Sequence, residues 1–245
     1  MAAYTLPRRE LLRLCGAAGA ACLLGATGMA ETLTPAETAV DHLLLGVADL
    51  DRGMAWVEKL TGVKAAVGGS HPGVGTRNAL ASLGGRRYLE IIAPDPLQTA
   101  YNFSIDLRKL GEPRLITWAA VTTDIAAAAK RAEGAGLRLF GPRDGSRARP
   151  DGKLLRWKTL GVQAEFGTQG VEPVPFFIEW AGDSPHPSRD SPRGCELLSF
   201  EMEHPDPAGV SDVLKKLGIE AKVRGSKEAR LRARLKTPKG EVALG

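Results

Sequence analysis

Two glutamates stand where carboxylates are costly. Glu90 lies in the run Tyr88-Leu89-Glu90-Ile91-Ile92, and Glu179 in Phe176-Phe177-Ile178-Glu179-Trp180. An unpaired carboxylate inside such a run costs several kcal/mol, so it is neutralised, paired or bound to a cation. Side chains alternate along a strand, so neighbours two residues away share its face. Glu90 shares a face with Tyr88 and Ile92, and Glu179 with Phe177 and Ala181. Neither face is polar, and the pattern predicts that both carboxylates point into an apolar-walled cavity.

The other chemistry-bearing residues are fewer. His42 opens an apolar strand and suits a ligand, a base or a hydrogen-bonded structural imidazole. His71 sits in the loop Gly68-Gly69-Ser70-His71-Pro72-Gly73 and, with Glu179, is an expected catalytic group. Asn78, Trp118, Arg149, Trp157 and Trp180 are the expected substrate-binding residues, with Arg149 suited to a bidentate carboxylate contact. His186, between two prolines, and His204, before a helix start, are expected to do no chemistry.

A repeat must position these groups. Asp41–Val63, Ile116–Leu137 and Leu197–Ile219 each hold an apolar run, an Asp at a helix start, a helix-period segment and a closing Gly. Asp49 or Asp51 caps the first helix and Gly62 ends it; Val210, Val213, Leu214 and Leu217 form the stripe of the third. Three strand signals follow each helix, with turns at Gly84-Gly85, at Pro150-Asp151-Gly152 and at Thr237-Pro238-Lys239-Gly240. The predicted fold is α+β: three βαβββ modules, two forming a curled-sheet cup and a third, βαβββ-like, at the C-terminus. The paired modules are placed at 40–94 and 114–182, the linker at 183–194 and the third module at 195–245.

With 245 residues, 25% charged and 43% hydrophobic, the chain has an ordinary globular composition. Residues 1–30 read as a separate segment. Arg8-Arg9 precedes a weakly apolar stretch, Leu14–Thr27, and the small-residue site Gly28-Met29-Ala30. This is the pattern of a twin-arginine-type signal peptide, and it implies a periplasmic or secreted protein. The apolar stretch is shorter than the ~20 residues of a spanning helix, so no stable membrane insertion is expected after cleavage. Cys15 and Cys22 leave with the signal, and Cys195 then has no partner for a disulfide.

The motifs resemble those of the vicinal oxygen chelate superfamily, and within it the glyoxalase-like domain proteins. Asp41-His42, the segment Gly68–Leu80, Tyr88–Pro96, Arg149–Trp157 and Pro175–Trp180 carry the resemblance. It implies a metal inside the cup, held from the first and last strands of each module. His42, Glu90 and Glu179 fill three of those places. Asp49-Leu50 aligns with Asp124-Ile125, which puts Thr117 in the fourth, and Thr117 is no ordinary ligand. Three ligands with open positions suit a divalent ion, Zn, Mn, Fe, Co or Ni, that binds substrate oxygens. The implied function is metal-dependent lyase or isomerase chemistry on a small molecule with vicinal oxygens, with dioxygenase chemistry less favoured because one histidine is well placed. The alternative is a metal-free small-molecule binder. Arg230–Lys236 alternates cations with apolar residues but lacks aromatics to stack bases, so no nucleic acid is expected. The odd module count leaves the third module to cover the pair or to form a homodimer.

Overall fold

The computed structural model describes residues 32–149 and 151–245, so the expected signal at 1–30 lies outside the described residues. Thr32–Gly245 is one compact unit. A two-residue strand, β1 (Thr34–Pro35), and a one-turn helix, α1 (Ala36–Ala39), lead into the first module. That module is β2 (Val40–Gly46), α2 (Leu50–Thr61), β3 (Ala66–His71), β4 (Thr76–Ser82) and β5 (Tyr88–Pro94). The second is β6 (Arg114–Val121), α3 (Ile125–Gly134), β7 (Arg138–Ala148), β8 (Leu154–Gln163) and β9 (Phe176–Trp180).

The three repeat aspartates cap the three helices. Asp49 accepts a hydrogen bond from the Arg52 amide, Asp124 from Ala127, and Asp206 from Gly209. Gly62, Gly136 and Gly218 follow the helices with φ between 78° and 80°, the left-handed conformation that glycine adopts without a Cβ clash.

In both paired modules the first strand lies parallel to the last. The two first strands, β2 and β6, meet antiparallel at the seam. One eight-stranded sheet results, in the order β3-β4-β5-β2-β6-β9-β8-β7. It curls until its end strands approach, and Arg147 of β7 donates to the carbonyl of Gly68 on β3. A Cβ at position 68 would collide with Asn78 Oδ1, so glycine is what lets Asn78 and Arg147 reach this edge.

The third module keeps the succession with a different pairing: β10 (Glu196–His204), α4 (Pro207–Lys216), a short β11 (Ile219–Glu220), β12 (Lys222–Gly225), β13 (Arg230–Thr237) and β14 (Gly240–Leu244). β10 lies between β12 and β13, in the order β12-β10-β13-β14, so its first strand does not pair with its last. This module packs on the outer face of the cup. Trp118, wholly buried, faces Phe200 edge-on at 5.2 Å and donates its indole N–H to Pro173 O at 2.8 Å. Leu43, Leu45, Leu89 and Ile91 of the cup share this outer core with Met202, Leu214 and Leu235.

Trp118 therefore holds the third module to the pair. Trp118→Ala is expected to cost roughly 3–5 kcal/mol, the range for deleting a large buried aromatic. Urea denaturation reads this as a lower midpoint with unchanged slope. A loss below about 1 kcal/mol would show that the Trp118–Phe200 contact is not what joins the modules.

Candidate active site in the cup

The inner face of the sheet encloses a cavity of about 360 Å³. That is the scale of a small-molecule site, and its walls are mostly apolar. His42 and Leu44 of β2 face it, with Tyr88, Glu90 and Ile92 of β5, and Phe176, Ile178 and Trp180 of β9. Trp157 of β8, Arg147 of β7 and Phe103 close the walls.

The polar centre belongs to module one. Glu90 is 6% exposed. One of its oxygens lies 3.3 Å from His42 Nε2, and the other 3.6 Å from His71 Nε2. Asn78 Nδ2 donates to Glu90 at 2.6 Å and approaches His71 Nε2 at 3.3 Å. His71 Nδ1 is 2.8 Å from the Thr76 hydroxyl. Burial lowers the His71 pKa against the opposing pull of Glu90, which keeps the ring neutral near pH 7. His42 stacks on Tyr88 with centroids 4.5 Å apart. Burial, and then the charges of Asp41 and Glu90, raise the Tyr88 pKa well above its ordinary value, so its phenol stays protonated.

Glu179 stands elsewhere. It alternates with Ile178 and Trp180, which line the cup, and so its side chain leaves on the opposite face. There it accepts the Ile125 amide at the start of α3, 2.6 Å away. A carboxylate at a helix N-terminus is stabilised by an orphan N–H and by the helix dipole. Matching Glu179 to Glu90 as a second ligand is one residue out of register. Ile178 stands nearer to the role of Glu90, and a one-residue slip turns every side chain to the other face. The second module's first strand offers no ligand either. His42 pairs with Tyr88 and Ala119 pairs with Phe176, so alanine holds the place that matches His42.

The structure gathers His42, His71, Asn78, Glu90, Trp157 and Trp180 in one cavity and leaves out three expected residues. Glu179 caps a helix. Trp118 lies in the outer core. Arg149 pairs with Asp190 at 2.6 Å and Asp151 at 3.2 Å, beside a different, smaller pocket. Arg147, two residues earlier, lines the cup instead, because β7 runs on to Ala148 and carries it to the closing edge of the sheet. Tyr88 was readable as a neighbour of Glu90 in the pleat. His186 carried no local signal, since its flanking prolines read as a loop. Among the described residues, no group of three or more His, Cys, Asp and Glu side chains is arranged to hold a metal ion as it stands. Nor is any helix of the described residues long and apolar enough to cross a membrane.

Paired βαβββ modules closed into a cup define the vicinal oxygen chelate class. The chain belongs to the glyoxalase-like domain family, whose model matches residues 40–218. No curated protein matches it. It is similar in fold to a hypothetical protein from Staphylococcus aureus, with a TM-score of 0.62 and 15% identity over 78% of this chain and 87% of that one. It also aligns with methylmalonyl-CoA epimerase from Mycobacterium tuberculosis, with a TM-score of 0.42 and 22% identity over 62% of this chain and 91% of that one. A Streptomyces coelicolor methylmalonyl-CoA epimerase in complex with 2-nitronate-propionyl-CoA gives 0.43 and 22%, over 62% and 99%.

Behind His42 lies Asp41, wholly buried. Burial alone would raise its pKa, but hydrogen bonds from His186 and His42 outweigh this and hold it at about 2, below the ordinary 3.8. A depressed carboxylate stabilises the fold fully above its unfolded pKa and loses that contribution as pH falls through the folded one. Equilibrium unfolding is therefore expected to lose about 2 kcal/mol from this group between pH 4 and pH 2. Asp41→Asn, weaker at neutral pH, lacks that loss. Equally steep acid limbs in both proteins would remove Asp41 from the acid response.

Proposed function

We propose that this is an exported enzyme of the glyoxalase-like family that carries out isomerase or lyase chemistry on a small molecule with adjacent oxygens, with a divalent ion in the cup. The observation that carries the reading is the convergence of two imidazole nitrogens on one buried carboxylate. His42 Nε2 and His71 Nε2 both face Glu90. That donor set fits Zn, Mn, Fe, Co or Ni. Asn78 Oδ1, buried without a hydrogen-bond partner, is a spare oxygen on the amide that now bonds Glu90. His42, Glu90 and His71 would hold the ion, and Glu179 is no longer among the ligands. When bound, the ion supplies a Lewis acid for an oxyanion or enolate.

The chain's own residues do the rest. Trp157, Trp180, Phe176 and Phe103 bury the substrate's apolar body and exclude water. The Tyr88 phenol, being protonated, keeps an O–H to donate. His71 Nδ1 stays on the Thr76 hydroxyl, which orients the ring so that Nε2 faces Glu90.

A second reading, a metal-free binding protein, is favoured by one observation: module two offers Ala119 and Ile178 where module one offers His42 and Glu90. Metal analysis after incubation with each of the five ions separates the two. The enzyme reading expects about one equivalent per chain, lost in Glu90→Gln and in His42→Ala and kept in Glu179→Gln. No ion retained by the native protein leaves the binder.

Export is supported by Arg8-Arg9 and the small-residue site ending at Ala30. The protein is expected in the periplasmic fraction with a new N-terminus at Glu31, and Arg8→Lys/Arg9→Lys is expected to hold it in the cytoplasm. Full-length protein recovered only from the cytoplasm would overturn this.

A further inference from the structure

Asp41 does not line the cup, yet three segments of the chain converge on it. Its Oδ1 lies 2.8 Å from His42 Nδ1. Its Oδ2 lies 3.0 Å from His186 Nε2 and accepts the Trp180 indole N–H at 3.1 Å. Among the described residues no lysine or arginine forms an ion pair with it. This buried anion is held by N–H groups alone.

The hydrogen-bond roles here follow from donor chemistry. An indole nitrogen only donates, so Trp180 takes one place on Oδ2. The Ser188 backbone N–H donates to His186 Nδ1 at 3.3 Å. That nitrogen also lies 2.8 Å from the Ser188 hydroxyl, and Nε2, 3.0 Å from a carboxylate that can only accept, carries a proton facing Asp41. Oδ2 thus has two donors. Oδ1 is left for His42, whose Nδ1 must donate to it. His42 Nε2 then points to the cup, 3.3 Å from Glu90.

The arrangement is packed as well as bonded. The His186 side chain is 1% exposed. Its ring meets the edges of Tyr88 at 5.6 Å and Trp180 at 5.5 Å. Both of those aromatics also line the cavity. The segment around His186, a short 3-10 helix at Pro187–Arg189 entered through that histidine, is anchored by the Ser188 hydroxyl on Gly85 O.

We propose that His186 and Trp180 are positioning residues that act through Asp41, fixing His42 with its Nδ1–H on Asp41 and its Nε2 directed into the cup. The use of that nitrogen, as ligand or base, rests on the function proposed above; the Nδ1–H bond to Asp41 itself needs neither metal nor substrate.

The test is a long-range proton–nitrogen correlation of the histidine rings, on chelator-treated full-length mature protein at pH 7.5. Wild type is expected to show His42 protonated on Nδ1 and His186 on Nε2. Asp41→Asn is expected to remove the His42 Nδ1 proton. Two donors still require an acceptor at the Oδ2 place, so the amide nitrogen faces His42 Nδ1 and leaves the ring proton on Nε2. A wild-type His42 without a proton on Nδ1 overturns the proposal. So does a folded Asp41→Asn that keeps the wild-type pattern. If that variant does not fold, His186→Gln and His186→Leu decide. The amide of glutamine supplies a donor and is expected to preserve the slowly exchanging His42 Nδ1–H signal; leucine is expected to lose it. Equal retention in both would leave His186 no positioning role. Because no metal enters the readout, a failure to bind metal and a failure of this proposal are separate results.

Discussion

The three strands at the middle of the sheet, β5, β2 and β6, are buried on both faces, and this constraint governs the molecule. Their inner face lines the cup. Their outer face carries Leu43, Leu45, Leu89, Ile91 and Trp118 into the core shared with the third module. A strand with apolar demands on both sides loses the clean alternation that would reveal its facing. One residue of register then decides whether a carboxylate enters the cavity or leaves it. Glu90 enters, while Glu179, in almost the same sequence frame, leaves.

Three carboxylates are drawn into this interior, and each is satisfied differently. Asp41 is held by three N–H donors. Glu90 takes the Asn78 amide and faces two imidazoles. Glu179 takes the first amide of α3. A buried carboxylate so bonded is tolerable without a countercharge, because N–H groups favour its charged form. The nearest cation to the cup's centre, Arg147, is itself buried and spends one N–H on Gly68 O across the closing edge of the sheet. The polar centre is therefore one-sided: module one provides chemistry, and module two provides aromatic and aliphatic wall.

The third module shows why repetition of elements is not repetition of topology. It carries the same capped helix and three following strands, yet its first strand sits between the second and third. Its work in the monomer is to cover the outer face at the seam, where Phe200 meets Trp118. Without that cover, a wholly buried tryptophan and its neighbours would face water at a cost of several kcal/mol.

The sequence by itself determined the elements. Asp at each helix start, Gly at each helix end and the apolar runs between turns are local signals, and the structure keeps all three helices where those signals stand, while β3 (Ala66–His71) and β7 (Arg138–Ala148) reach beyond them. It also determined that His42, His71, Asn78 and Glu90 are unusual for their surroundings. What only the tertiary structure decided is facing and pairing. Glu179 faces outward because it alternates with the cup-lining Ile178 and Trp180, and Trp118 does so because it alternates to the face that Phe200 of the third module covers. Arg149 gave way to Arg147 because β7 continues past its sequence signal, through pairing with β8. His186 became part of the site from 145 residues away from Asp41. Side-chain alternation and helix caps are set by neighbours in the chain. Register between strands, and the company a buried carboxylate keeps, are set by contacts that no local pattern encodes.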